Sequence, residues 1–245
     1  MLKDKIKWVI LIPVVIIVAV SIFIIVSQET PSDPNVNEPS TLQPSTQSTN
    51  PDGSISLPYA IPGTNLVIQS IRSYDGVFLE DGSNRDVTGI SAMVLVNNGK
   101  TGVEYAQITL NQGNTVLQYK ATSIPAGATL VVQEATAAKY VDSKYTSCNA
   151  NVAEATTFEM SDSLVKVEEI ENGTLLVTNL TDETIPCVRV FYKFAFEKGK
   201  IYVGGITYAA ELTELEPSQS KKLTASHFSA NSSEVIMVRT YETTD

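Results

Sequence analysis

His227 is the only histidine in this chain of 245 residues. A Ser-His-Asp or Cys-His arrangement would need it as the base. It stands beside Phe228 in a stretch of strand character. Ser226 is its neighbour, but successive strand side chains point to opposite faces. Ser229 could share its face, and nothing nearby marks that serine as activated. A zinc centre recruits several His or Cys ligands, and one His with two Cys is too few. No catalytic residue, metal ligand or cofactor site is assigned, and the chain reads as a non-enzyme.

Four other groups have residue types that could bind. Cys148 and Cys187 are the only cysteines. An even count in an oxidising compartment suggests a disulfide. Its loop would contribute about 3–4 kcal/mol in the chain-entropy model. The alternative is two separate thiols. Asp75, Glu80, Asp81 and Asp86 cluster with Gly76, Gly82 and Asn84, as oxygen ligands for Ca²⁺ can. Their spacing does not follow the EF-hand pattern, so a solvated hairpin tip is expected. Asp162, Glu168, Glu169 and Glu171 form a second acidic patch with the same expectation. Gly204-Gly205 interrupts a strong strand pattern, which predicts a bulge or a close backbone approach. Tyr192, Tyr202 and Tyr208 around it are a candidate binding face, the alternative being core aromatics at a sheet bend. Asn172, Asn179 and Asn231 head N-x-[ST] triplets, which mean glycosylation only in a eukaryotic secretory pathway.

The element that places all of these is the apolar run Trp8–Val26, which holds no charged residue. As a helix it is about 28 Å long, enough to cross a hydrocarbon core of about 30 Å. Lys3, Lys5 and Lys7 precede it, and no Lys or Arg occurs from Ser27 to Ser56. The amino terminus is therefore expected inside and the rest outside. A cleaved signal is the rival reading, with Ala19-Val20-Ser21 as its small-x-small triplet, but that triplet lies within the apolar run. Formal net charge is −10. Without Lys3, Lys5, Lys7 and Asp4 the count is 14 basic against 26 acidic, about −12. That balance argues against nucleic acid or an anionic membrane surface as a partner.

Residues 27–57 are rich in Pro, Ser, Thr, Asn and Gln and cannot bury enough surface to offset ordering entropy, so they read as a disordered linker. Beyond them short β-type runs alternate with turn signals. Candidate strands are Leu66–Ile71, Gly89–Val96, Val103–Leu110, Thr115–Ala121 and Leu130–Glu134. Asp81-Gly82, Asn98-Gly99 and Gly113-Asn114 are turn chemistry between them. Glu134–Tyr140 is the best short helix candidate. Lys139 to Asn151 is polar and reads as a crossover between domains. Then come Val165–Ile170, Thr174–Thr178, Cys187–Phe196, Ile201–Ala210, Lys221–Phe228 and Val235–Tyr241. In the third of these, Arg189 and Lys193 fall on the face expected to be wet.

The two blocks look related. Val94-Leu95-Val96-Asn97-Asn98 reads against Leu175-Leu176-Val177-Thr178-Asn179. Ile124-Pro125-Ala126-Gly127 reads against Glu216-Pro217-Ser218-Gln219. The expected fold is all-β: two immunoglobulin-like antiparallel β-sandwich domains, 58–141 and 148–245, after a cytoplasmic tail (1–7), a transmembrane helix (8–26) and the linker. One larger sandwich is the alternative.

The anchor, the low-complexity stalk, these strand ends and Gly204-Gly205-Ile206-Thr207-Tyr208 resemble uncharacterised single-pass membrane-anchored extracellular proteins of Gram-positive bacteria. The repeat is similar to their small FxLYD-type β-sandwich modules. The strand carrying that signature reads Val190-Phe191-Tyr192-Lys193-Phe194 here. The resemblance implies a cell-envelope location and a fold, with no chemistry. It also points to surfaces that often manage without disulfides, and away from glycosylation. The expected function is a non-enzymatic surface protein whose tandem sandwiches bind an envelope protein or help assemble an envelope complex. The alternative is a glycan or wall-polymer binding module using an aromatic face.

Overall fold

The computed structural model describes residues 49–50, 52–154 and 163–242. The expected tail, membrane helix and most of the linker lie outside the described residues. Every described element is a strand: β1 (Tyr59–Ala60), β2 (Leu66–Phe78), β3 (Arg85–Asn97), β4 (Val103–Gln112), β5 (Thr115–Ile124), β6 (Thr129–Gln133) and β7 (Ser147–Glu154), then β8 (Val165–Glu171), β9 (Thr174–Asn179), β10 (Ile185–Glu197), β11 (Ile201–Leu215), β12 (Ser220–Thr224) and β13 (Ser233–Tyr241). Alternation creates them. In β5, Leu117, Tyr119 and Ala121 are buried while Gln118 and Lys120 between them are exposed.

One order of pairing runs twice. In the first half β2-β3-β6 form one array and β5-β4-β7 another; in the second half β8-β9-β12 and β11-β10-β13 repeat it. The halves meet where β6 runs parallel to β11, Thr129–Val131 against Ile201–Val203. That junction joins strands of both halves into one seven-stranded sheet, β1-β2-β3-β6-β11-β10-β13. One apolar core is centred on Leu66, Leu95, Ile108, Leu117 and Leu130 and takes in Tyr202 and Met237 of the second half. The other, around Leu175, Val177, Val188, Val190 and Leu215, is wholly second-half.

Two buried asparagines mark equivalent positions. Asn97 Nδ2 donates to the carbonyls of Thr101 (2.9 Å) and Pro125 (3.1 Å), and its Oδ1 accepts from Gly99 N. Asn179 Nδ2 donates to Glu183 O (2.8 Å) and Glu216 O (3.1 Å), and its Oδ1 accepts from Thr181 N. Each ties its strand end to the turn after it and to the later Pro-bearing turn. The equivalence is therefore Asn97 with Asn179 and Pro125 with Glu216, one residue off the alignment that residue types suggest. A turn needs a conformation at a place, and different residues supply it: Gly127 (φ 70°) and Ser218 (φ 57°) occupy the same left-handed position.

Three expectations change. Glu134–Tyr140 is a turn, not a helix. The Glu134 carboxylate accepts from the amides of Gln118, Thr136 and Ala138, which gives those N–H groups partners that a helix would not. The linker ends earlier than residue 57. Ile55 and Ser54 are buried, Ile55 N donates to Tyr145 O, and Lys144 pairs with Asp52. The polar crossover, Lys139 to Asn151, runs into β7, which pairs with β4 and so carries Cys148 into the first half's sheet. Its neighbours along the chain are too polar for a buried strand, and an edge strand needs only one apolar face.

Candidate functional site

The densest polar chemistry lies where the halves meet. The β2–β3 hairpin stays paired out to Phe78 and Arg85, and its tip reaches the second half. Buried Phe78 and Leu79 drive the tip inward, and the Asp81-Gly82 turn reverses the chain behind them. Gln133, at the end of β6, receives it. Its Oε1 accepts from Leu79 N (2.8 Å) and its Nε2 donates to Val77 O (2.7 Å). Glu80 Oε1 accepts in return from Gln133 N (3.0 Å) and from Gly205 N of β11 (2.8 Å).

Gly205 is surrounded. Its carbonyl accepts from Lys193 Nζ at 3.0 Å, and Lys193 also donates to Ile206 O at 2.9 Å. A Cβ on Gly205 would lie 1.7 Å from the Lys120 carbonyl oxygen of β5. Gly204 (φ +82°) lies under Leu79, whose Cδ1 would be 2.9 Å from an added Cβ. Both expectations for Gly204-Gly205 hold: the β10–β11 register jumps from Tyr192↔Tyr208 to Phe194↔Val203, and two backbones touch. Thr122 and Thr207 complete the seam, each hydroxyl bonded across it.

The same register jump corrects the placement of Lys193. It is not on a wet face; its exposure is 0%. Burial pushes its ammonium down to about 7, while the Glu80 carboxylate acts in the opposite sense. Burial raises Glu80, against the backbone amides of Gly205, Gln133 and Ile206 and the charge of Lys193, which favour its ionised form. The acid, the base and the amide between them are all bonded to backbone, so the group aligns chains. A substrate has no access to a fully buried lysine.

Beside the tip, Tyr208 stacks on Tyr192 (centroids 5.6 Å apart) and on His227 (4.6 Å). Asn84 Nδ2 lies 3.3 Å from His227 Nδ1, and Tyr208 Oη donates to Asn84 Oδ1 at 3.4 Å. Among the described residues His227 is held by the Tyr208 ring and the Asn84 carboxamide. Tyr192, Tyr202 and Tyr208 do not form a joint exposed face. Tyr192 (2% exposed) belongs to the second core and Tyr202 (3%) to the first, on either side of the glycine bulge, with Tyr208 half-buried. Burial explains this, since each ring has apolar neighbours to pack on.

Cys148 and Cys187 are not bridged. They lie in different three-strand arrays, Cys148 on β7 and Cys187 on β10, and burial pushes the Cys148 thiol up to about 11. The acidic loop is divided rather than convergent. Asp75 accepts from Gly89 N, Asp81 from Ser83 N while facing Arg85, and Glu80 turns inward. Among the described residues no three His, Cys, Asp or Glu side chains gather as metal ligands do. In the second patch Glu168, Glu169 and Glu171 pair with Lys166, Lys198 and Lys222, and Asp162 lies outside the described residues. Asn179 is buried with its amide spent on three carbonyls, so it offers no glycan acceptor.

The glycine pair is the sequence signal that could have located this junction, because it stands opposite a lysine in an apolar strand. Gln133 and Glu80 carry no such signal; their roles depend on the hairpin tip arriving from a distant part of the chain. No family model, no curated protein and no solved structure matches this chain.

Proposed function

We propose that this is a membrane-anchored extracellular protein, without enzymatic activity, that presents two immunoglobulin-like β-sandwich modules to an envelope protein or envelope complex. The observation that supports this reading is the doubled pairing order with its matched asparagines. That order is what two copies of one module would give, and Glu80, Thr122 and Thr207 bond across the junction between the halves. Residues 8–26 supply the anchor and 27–48 the reach. The sandwiches are the FxLYD-like part. The glycan-binding alternative depended on Tyr192, Tyr202 and Tyr208 forming an open platform, and two of the three rings are buried.

Proximity labelling on intact cells, with the enzyme fused after Asp245, tests the reading. Envelope proteins should dominate the labelled set. Labelling restricted to cytoplasmic proteins would overturn the topology and, with it, the assignment.

A further inference from the structure

We propose that β7 is a homodimer edge, pairing antiparallel with β7 of a second copy about an axis through Ala150. The inference holds wherever in the cell the chain resides. β7 pairs with β4 on one side, and among the described residues no backbone bond is made on the other. An open edge is a template for another strand, and proteins normally defend it with charge or shortness. The other edges here are defended. β8 carries Lys166, Glu168, Glu169 and Glu171, β12 carries Lys221 and Lys222, and β13 carries Glu234 and Arg239. β1 is two residues long, and β5 is partly covered where Gln118 bonds to Glu134 and Ala135. β7 has eight residues and one charge, Glu154, and Asn149, Ala150 and Asn151 at its centre are exposed.

The occupant follows from the order of residues. Ser147-Cys148-Asn149-Ala150-Asn151-Val152-Ala153 reads nearly alike in both directions. Paired antiparallel about Ala150, Asn149 faces Asn151 of the second copy twice, so carboxamides meet carboxamides. Cys148 faces Val152, and Ser147 faces Ala153. A two-fold contact requires such self-complementarity. Charge selects the same register. Two chains of net charge −10 repel, so they can approach closely only along a nearly uncharged strip. In this register the two Glu154 residues lie at opposite ends, about 26 Å apart at strand rise, each facing Thr146. The product is one continuous sheet, β5-β4-β7 followed by the same strands of the second copy in reverse. One strand per partner is a small contact, so the dimer belongs to the transient class.

Cysteine cross-linking of the full-length chain in the cells that make it tests this. In a C148S background, A150C places two thiols on the axis. Mild oxidation should give a disulfide-linked dimer on a non-reducing gel. K222C on the defended β12 edge is the control and should give about fivefold less. Adding N149K and N151K to A150C sets lysine against lysine and should cut the dimer about fivefold; N149K with N151E sets lysine against glutamate and should restore it. Dimer from A150C no greater than from K222C would overturn the proposal. So would equal yields from the two charge patterns, which would mean collision rather than register.

Discussion

β6 and β12 occupy the same place in the two halves and have opposite fates. Each pairs antiparallel with the strand that ends in the buried asparagine, β6 with β3 and β12 with β9. Aligned on those asparagines, Leu130 corresponds to Lys221 and Val131 to Lys222. β6 is covered on its second side by β11 and its Leu130 is fully buried. β12 is an edge, and at the position matching Leu130 it points Lys221 inward, with Nζ donating to Glu214 O. An inward lysine keeps further strands away. The repeat therefore joins once and stops, and the side chains of two equivalent strands decide which edge is sealed and which is closed off.

The sharpest test of the sealed junction is Gly205→Ala. A methyl group cannot share space with the Lys120 carbonyl, so the backbones must separate. The expected loss is on the order of 4 kcal/mol or more in chemical denaturation. Gly113→Ala, at a left-handed turn with open space around it, should cost only about 1 kcal/mol. Comparable losses would mean that the junction is not the constraint.

The strand comparison is broken next. Leu130→Lys should destabilise by about 4 kcal/mol, because it buries a charge with no partner provided. Lys221→Leu should change stability by about 1 kcal/mol or less and increase self-association, measured by sedimentation. If both substitutions behave alike, the asymmetry between the strands is not functional.

Lys193→Met leaves the Gly205 and Ile206 carbonyls without their donor and should cost about 3 kcal/mol. It also has a pH signature. Lys193 falls from 10.5 in the unfolded chain to about 7 when folded. Between those values the unfolded state holds more protons, so this group's contribution is present above about 10.5 and is lost as pH falls toward 7. Unfolding free energy should rise with pH from 7 to 9.5 in the parent, and the slope should be shallower in Lys193→Met. Glu80 has the opposite sign: its pKa is raised on folding, so its contribution is present at low pH and lost as pH rises through the folded value. A smaller loss than at Lys193, about 2 kcal/mol each, is expected for Asn97→Ala and Asn179→Ala, for the buried carbonyls left unpaired. Equal losses would sharpen the equivalence of the halves, and unequal ones would show that one turn has taken over the work.

Much of the strand map was legible. Leu66–Ile71, Val103–Leu110 and Thr174–Thr178 each lie within an observed strand, because alternation and Gly- or Asn-bearing turns are local properties. The repeat was legible too, though one residue out of step, since matching Pro125 to Pro217 follows residue type where the turn follows backbone shape. Alanine-rich Glu134–Tyr140 misled because helix propensity ignores a carboxylate that can cap the turn from within. β7 was missed because its outer surface is polar, and Lys193 was placed in water because strict alternation cannot foresee a bulge.

Short-range order settled the class of this protein: all-β, one strand-and-turn pattern run twice, with a glycine pair interrupting a strand. Those features rest on contacts between neighbours in sequence, and residue types report them. Which edge is covered, which tyrosines are sunk and why a lysine sits dry were decided only on folding. The covered edge depends on β6 meeting β11, and the junction chemistry on a hairpin tip that meets β11 some 125 residues further along the chain, from Glu80 to Gly205; such meetings leave no local pattern to read.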